Sequence, residues 1–183
     1  MGLDLKRSDT PPIMQDFMSE LLLDVLTGAE ENDIVEKIKT FKHEFHSRPG
    51  WEKGTPKRVN NLTMYGAKEE REGKATMPGH VRAALNWNRL KEMNSDNYSQ
   101  GIVDGMKTIV CKLKDNPLGY TSVGYPTDES QLPQWFKDLP FDDQLMEATI
   151  VDKKIDNLLG VLKWELKAKT QTANSFDSLF SFE

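Results

Sequence analysis

Hydrophobic positions in the first quarter of the chain recur at the spacing of amphipathic helices. Two apolar stripes with a period of about 3.6 residues are present, one over Ile13, Met14, Phe17, Met18, Leu21, Leu22 and Val25 and the other over Ile34, Ile38, Phe41 and Phe45. Thr10 followed by Pro11 is typical of a helix start, and Gly28 is typical of a helix end. The short connection between the stripes predicts an antiparallel helical hairpin over residues 11–47.

The middle of the chain alternates between apolar and polar positions, which indicates strands. Residues 106–114 alternate, a turn with Asn116 and Gly119 follows, and residues 120–125 form the predicted returning strand. We also predict strands over 59–65 and 80–88, joined by a charged loop, and a long exposed turn before residue 106. These segments together define a predicted β region over residues 57–125.

Helical character returns after Pro126. The pattern predicts a short helical turn within 128–139 and a longer helix from about Asp142, whose buried face carries Leu145, Met146, Thr149, Ile150, Lys153, Ile155 and Leu158. We therefore predict an α+β fold, with a base built from N- and C-terminal helices and a small, mostly antiparallel sheet at the tip. The predicted domain covers 1–170, comprising a strap (1–10), the hairpin (11–47), the β tip (57–125) and helices (128–166), and a tether and tail follow over 171–183.

Composition places the chain among soluble globular proteins. Its 183 residues suffice for one domain with a hydrophobic core. It contains neither an apolar run of the roughly 20 residues that span a bilayer nor a signal-peptide core, so we expect a cytoplasmic protein without a membrane partner. Cys111 is the single cysteine, and its alternating neighbours predict a buried structural thiol.

Residues 48–91 form a positive island, with ten Lys or Arg against four Glu in a chain of net charge -5. Asn60, Asn61, Asn86 and Asn88 are interleaved with these charges and supply amide donors for phosphate oxygens. The island is thus a candidate surface for nucleic acid, and an ordinary solvated face is the alternative interpretation.

Catalytic motifs are not evident in the sequence. It has no phosphate-binding glycine loop, no zinc-type Cys/His spacing and no nucleophile beside a base. Asp142, Asp143 and Asp152 are carboxylates of the kind that two-metal chemistry uses, but adjacent aspartates at a helix start are more typical of an N-cap. We therefore expect no catalytic activity from this chain alone.

Five short segments stand out by their order along the chain: MGLDLKRSDTP, VNNLTMY, PGHVRAALNWN, LKDNPLGY and FDSLFSF. In this order they resemble the C-terminal thumb domain of family B replicative DNA polymerases of large tailed phages. The resemblance implies a thumb that grips primer-template duplex for processive replication, in the cytoplasm of a phage-infected bacterium. It implies no cofactor in this chain, because the Mg²⁺ ions of such enzymes are held by the palm.

The resemblance also implies a set of DNA-binding residues. Arg7, with Lys6 beside it, matches a basic position that reaches the minor groove near the primer end. The resemblance also implies that Asn60, Asn61, His80, Arg82 and Lys153 contact the DNA backbone. Lys57 and Arg58 of the positive island are further candidates for such contacts. Met64 and Thr121 stand where the family pattern has lysine, and Lys57, Arg58, Lys68 or Lys74 are the candidates to supply those two phosphate contacts instead.

The C-terminal tail carries four large apolar side chains after a polar tether, which favours a docking motif over a terminal turn packed on its own domain. In the family that the chain resembles, this tail binds the sliding clamp, and the matching residues are Phe176, Leu179, Phe180 and Phe182. The other implied partner is the part of the polymerase that holds exonuclease, palm and fingers. Either the polymerase is split between two genes, which Met1 directly before the strap favours, or the chain is a fragment of a longer one.

Two other functions fit parts of the sequence. A small adaptor would use the tail and the helical faces to join proteins without touching DNA. An autonomous nuclease or phosphotransferase would depend on Asp142 and Asp143.

Overall fold

The computed structural model describes residues 9–73 and 75–161 of the chain, and its fold confirms the predicted α+β class. A three-stranded antiparallel sheet in the order β1-β2-β3 is surrounded by helices. The elements in chain order are α1 (Pro12–Leu26), α2 (Glu31–Ser47), a 3₁₀ turn (Gly50–Lys53), β1 (Thr55–Arg58), α3 (Leu62–Glu72), α4 (Gly79–Met93), β2 (Lys107–Lys112), β3 (Ser122–Pro126), α5 (Gln134–Lys137), α6 (Asp143–Glu147), a π turn (Ala148–Asp152) and α7 (Lys153–Val161).

Helices α1 and α2 lie where the apolar stripes predict them. Phe17 stacks on Phe41 between the two helices, with ring centroids 3.8 Å apart and planes 6° from parallel. Pro11 occupies the N-cap position of α1. Thr10, the predicted cap, is instead buried, and its hydroxyl accepts a hydrogen bond of 2.8 Å from Lys154. The segment before α1 is therefore attached to α7, at the other end of the described chain.

The strands predicted over 106–114 and 120–125 are confirmed as β2 and β3, which pair with each other. Helix α4 packs closely on β3: a Cβ on Gly124 would be in van der Waals contact, at 3.6 Å, with the backbone of Ala83. Trp87 of α4 is fully buried and meets Phe136 of α5 edge-on, with centroids 5.3 Å apart. The central core therefore lies between the sheet, α4 and α5.

The strands predicted over 59–65 and 80–88 are wrong, since these residues belong largely to α3 and α4. Over 80–88 the prediction failed because the helix buries one polar residue, so that apolar and polar positions alternate there as they do in a strand. Asn86 is buried and donates a 2.9 Å hydrogen bond to the Ser122 carbonyl of β3. The true period appears in the buried side chains of α4, which recur every three residues at Val81, Ala84, Trp87 and Leu90.

The last described helix is continuous but changes its winding. Between α6 and α7, residues Ala148–Asp152 form a π turn, which takes more residues per turn than an α-helix. The extra residue brings both Ile150 and Val151 to the core. Leu145 is consequently 46% exposed, and Thr149 and Lys153, which we expected near the buried face, are also exposed.

Lys53 is the most buried charged residue among the described residues, with 1% of its surface exposed. Its ammonium group donates to Glu147 at 2.8 Å and to the His46 carbonyl at 2.9 Å, and it lies 3.3 Å from Asp143. Burial alone would raise the pKa of Glu147, but the hydrogen bonds from Lys53 and His46 outweigh it, so this pKa lies below its ordinary value. Through its bonds to Glu147 and to the His46 carbonyl, Lys53 joins the 3₁₀ turn to α6 and α2.

The variant Lys53→Met retains the side-chain bulk but leaves Glu147 without its ammonium partner. We expect it to lower the free energy of unfolding by about 3 kcal/mol, because an uncompensated carboxylate then stays at a largely buried site. Urea unfolding at pH 7 measures this loss. The control is Lys68→Met, which removes a partly exposed ammonium 4.0 Å from Glu72 and should change the free energy by less than about 0.5 kcal/mol. Equal losses for the two variants would contradict a special role of Lys53.

Candidate nucleic-acid interface

A groove of about 380 Å³ lies where β1, β2, the start of α4 and the α6–α7 helix meet, and we call it the basic groove. Lys57, His80 and Lys153, three of the predicted site residues, line it together. Lys112 of β2 and Lys154 of α7 add two further ammonium groups. Four lysines therefore face one lining carboxylate, that of Asp9.

A second, more open depression of about 780 Å³ continues from the basic groove, since Lys57 and Asp9 line both. It adds Arg58 of β1 and Lys107 of β2. The Arg58 guanidinium donates to the Gly105 carbonyl at 2.9 Å, so its position is held by the β1–β2 edge while the side chain stays exposed. The two depressions form one continuous positive surface.

The lysines of the basic groove differ in what they already bind. Lys57 lies 3.3 Å from the Asp9 carboxylate, and Lys154 donates to the Thr10 hydroxyl at 2.8 Å. The side chains of Lys112 and Lys153 are exposed and make no ion pair or hydrogen bond with the residues that the structure describes. Their charges are therefore available to an external anion.

His80 is the second residue of α4 and is half-buried in the basic groove. Burial lowers the pKa of its imidazole, and the positive charge of Lys57 lowers it further. The surroundings of His80 therefore favour its neutral imidazole over the charged imidazolium.

Arg82 lies on the same helix as His80 but does not line the basic groove. Its guanidinium donates to Glu69 at 2.8 Å and to the Ala75 carbonyl at 2.7 Å. Glu69 also accepts from Arg89, and this hydrogen bond, with that of Arg82, holds the pKa of Glu69 below its ordinary value against the opposing effect of burial. The geometry gives Arg82 a structural role, joining α3 to α4.

Asn60 and Asn61 are exposed at the start of α3 and line neither depression. Asn61 has a left-handed backbone with φ of 61°, a conformation that asparagine tolerates better than most residues. The first turn of α3 is capped by a residue remote in the sequence: the Leu62 amide donates a hydrogen bond to the Asp104 carboxylate. Both asparagine side chains therefore project from a well-defined turn next to β1.

The positive island of residues 48–91 is not a single surface. Lys53 is buried, Arg48 pairs with Glu52, and Lys68 pairs with Glu72. Asn86 and Asn88, expected as phosphate donors, are used internally: Asn86 binds Ser122 of β3, and Asn88 exchanges two hydrogen bonds with the backbone of Ile102.

Three basic residues of the surface escaped the sequence analysis, namely Lys107, Lys112 and Lys154. Lys107 and Lys112 are the first and last residues of β2, and a solvated lysine at a strand end carries no signal of function. Lys154 directly follows Lys153, which the sequence analysis did identify as a candidate. Six predicted site residues lie outside the described residues: Lys6, Arg7, Phe176, Leu179, Phe180 and Phe182.

The carboxylates near α6 have structural roles. Asp142 caps the helix by accepting a 3.1 Å hydrogen bond from the Leu145 amide, as the N-cap interpretation predicts. Within residues 9–73 and 75–161, no cluster of three or more His, Cys, Asp or Glu side chains is placed to hold a metal ion. Cys111 is buried as predicted, and burial raises the pKa of its thiol far above the ordinary value. None of the helices in these ranges is long and apolar enough to span a bilayer.

Comparison with known proteins relates the chain to a viral replication enzyme. No protein-family model matches it. The DNA-directed DNA polymerase of Enterobacteria phage T4 is 27% identical to it over 135 residues, which are 73% of this chain and 14% of that polymerase. The chain is thus a DNA polymerase-related sequence, and the resemblance to a phage polymerase is confirmed at this level. It matches only a small part of its relative's length.

The substitution Arg82→Gln should affect stability more than anion binding. We expect it to lower the free energy of unfolding at pH 7 by about 1 kcal/mol, because it removes a charged hydrogen bond to Glu69. The loss in the free energy of unfolding should become smaller as the pH falls from 4.5 through the lowered pKa of Glu69. At such pH values Glu69 becomes protonated and no longer attracts the guanidinium of Arg82. Urea unfolding between pH 3 and pH 7 measures both effects. Lys153→Gln is the matched control and should leave stability nearly unchanged at every pH; a loss as large as that of Arg82→Gln would contradict the assignment.

Proposed function

We propose that this chain is the thumb part of a phage-type family B DNA polymerase and that it holds primer-template duplex through the DNA backbone. The observation that carries the proposal is the convergence of Lys57, His80 and Lys153 in one groove. These residues are separated by up to about a hundred positions in the sequence, and each was a candidate DNA contact. The similarity to a phage DNA polymerase supports the same function.

The mechanism is binding rather than bond-making. Lys112 and Lys153 have exposed ammonium groups without described partners, so they contact phosphates directly. Arg58 and Lys107 extend the contact along the second depression. Because ammonium groups on flexible stems act as point charges, the grip is independent of DNA sequence and sensitive to salt.

The remaining candidates lie around this surface. Asn60 and Asn61 project beside β1 and donate to the backbone at its edge. Lys6 and Arg7 directly precede the segment of Asp9, which lines both depressions, and reach toward the minor groove. Arg82 supports the grip indirectly, by fixing α4 and with it His80.

Nucleotidyl transfer requires a partner that carries the palm, with its two metal ions, as well as the fingers and the exonuclease. Exposed apolar side chains at the end of α1 support such a contact: Leu23 is 61% exposed and Leu26 is 74% exposed. Because they are three residues apart on one helix, these leucines lie on the same face, which offers an exposed apolar surface to a partner.

The C-terminal tail docks to a sliding clamp through Phe176, Leu179, Phe180 and Phe182. The polar tether before it keeps the docked enzyme close to its template, so each rebinding to DNA is intramolecular. The grip and the tether together raise processivity.

Duplex binding tests the grip. The chain should bind a primer-template duplex with an affinity that falls steeply with salt, and neutralising both Lys112 and Lys153 to Gln should weaken binding about tenfold and reduce the log-log salt slope by about 1.8, or 0.9 per lost phosphate contact. Fluorescence anisotropy at several salt concentrations measures both quantities.

The matched control neutralises Lys39 and Lys91, which carry the same charge on other surfaces. It should leave the slope nearly unchanged. A salt slope near zero for the unmodified chain would instead support a protein adaptor that does not touch DNA. If the two double variants weakened DNA binding equally, the basic groove would not be the DNA-binding site.

Deletion of the last eight residues tests the tail. Removing residues 176–183 should abolish binding to the phage's sliding clamp, because it removes the apolar side chains of the docking motif, and should leave duplex affinity within about twofold because no groove residue is lost. Surface plasmon resonance with immobilised clamp measures the first effect. The control replaces Ser175, Asp177 and Ser178 by Ala and keeps the apolar residues. Unchanged clamp affinity after the deletion would contradict the docking role.

A further inference from the structure

The basic groove contains one residue whose charge is not permanent near neutral pH. His80 lines the groove together with four lysines and Asp9, and it is half-buried there. His43 and His46, the other two histidines of the chain, lie on α2 and line neither depression. Charge changes between pH 5.5 and 7.5 therefore concentrate, within the groove, on His80.

The surroundings of His80 keep it neutral while no anion is bound. Lys57 of β1, Lys112 of β2 and Lys153 and Lys154 of α7 face the same groove, and the facing carboxylate, Asp9, is already within 3.3 Å of Lys57. A proton on the imidazole would add a fifth positive charge in a partly desolvated place. Burial and the charge of Lys57 accordingly hold the pKa of His80 below 6.5.

A bound phosphate group reverses this balance. Its negative charge compensates that of Lys57 and favours the imidazolium over the imidazole, because an opposite charge nearby stabilises the charged form. The imidazolium also has two N–H donors, whereas the neutral ring has one. By linkage, any anion that binds the protonated form better must bind more tightly as the pH falls.

We propose that His80 takes up a proton when a phosphate group of duplex DNA enters the basic groove, so that DNA binding by this chain is coupled to pH. The inference rests on the proposed binding of duplex DNA and states that this binding is accompanied by the uptake of one proton. His80 is then a conditional phosphate ligand beside the permanent charges of Lys112 and Lys153.

The test measures the affinity of the full chain for a primer-template duplex between pH 5.5 and 7.5 at constant salt. The unmodified chain should bind about fivefold more tightly at pH 5.5 than at pH 7.5, within the limit of tenfold per pH unit that one proton allows. His80→Gln should bind with the weaker affinity throughout and vary by less than about twofold. His80→Lys should also be independent of pH, but with the tighter affinity, since its charge is permanent over this range.

His43→Gln and His46→Gln are the matched controls and should keep the pH dependence of the unmodified chain. In addition, NMR titration of the His80 ring should show its pKa rising when saturating duplex is added. A pH dependence that persists in His80→Gln, or a pKa of His80 that is unchanged or lowered by DNA, would overturn the inference while the grip on DNA stands. Absence of salt-sensitive duplex binding at every pH would overturn the proposed function itself.

Discussion

A buried ion pair holds together the parts of the molecule on which the basic groove depends. Removing the Lys53 ammonium from water costs several kcal/mol, and the cost is offset only because Glu147, Asp143 and the His46 carbonyl surround it. These partners come from α2 and α6, while Lys53 itself ends the 3₁₀ turn and is separated from β1 by Gly54 alone. Satisfying one charge thus fixes the start of the α6–α7 helix against the edge of the sheet.

The π turn determines which side chains of the last described helix reach the core and which line the basic groove. It lies between the anchored α6 and the lysines of α7, and its wider winding brings Ile150 and Val151 to the core together while Lys153 is exposed in the basic groove. Lys154, one residue further, binds Thr10 and closes the groove on the side of α1. Local winding and one buried charge therefore place two of the four groove lysines.

The electrostatics of the surface depend on where charges lie rather than on their sum. The chain has a net charge of -5, yet the groove gathers four lysines around Asp9. Screening confines the influence of an exposed charge to about 10 Å at ordinary salt, so acidic residues on the far sides of the molecule have little effect there. Conversely, much of the positive island contributes nothing to the groove, because Arg48, Lys68 and Arg82 are neutralised by glutamates close to them.

Periodicity was sufficient for α1, α2, β2 and β3, because each buries one face at a regular spacing that a short window of sequence contains. It failed for α4, because the buried Asn86 is a polar residue whose partner, the Ser122 carbonyl, lies 36 residues away in the sequence. The sequence likewise identified Lys57, His80 and Lys153 as candidates, but only tertiary packing placed them in one groove with Lys112 and Lys154 and paired Arg82 with Glu69. Helical and strand preferences act between residues near in sequence, whereas a shared groove and the pairing of charges depend on distances in space.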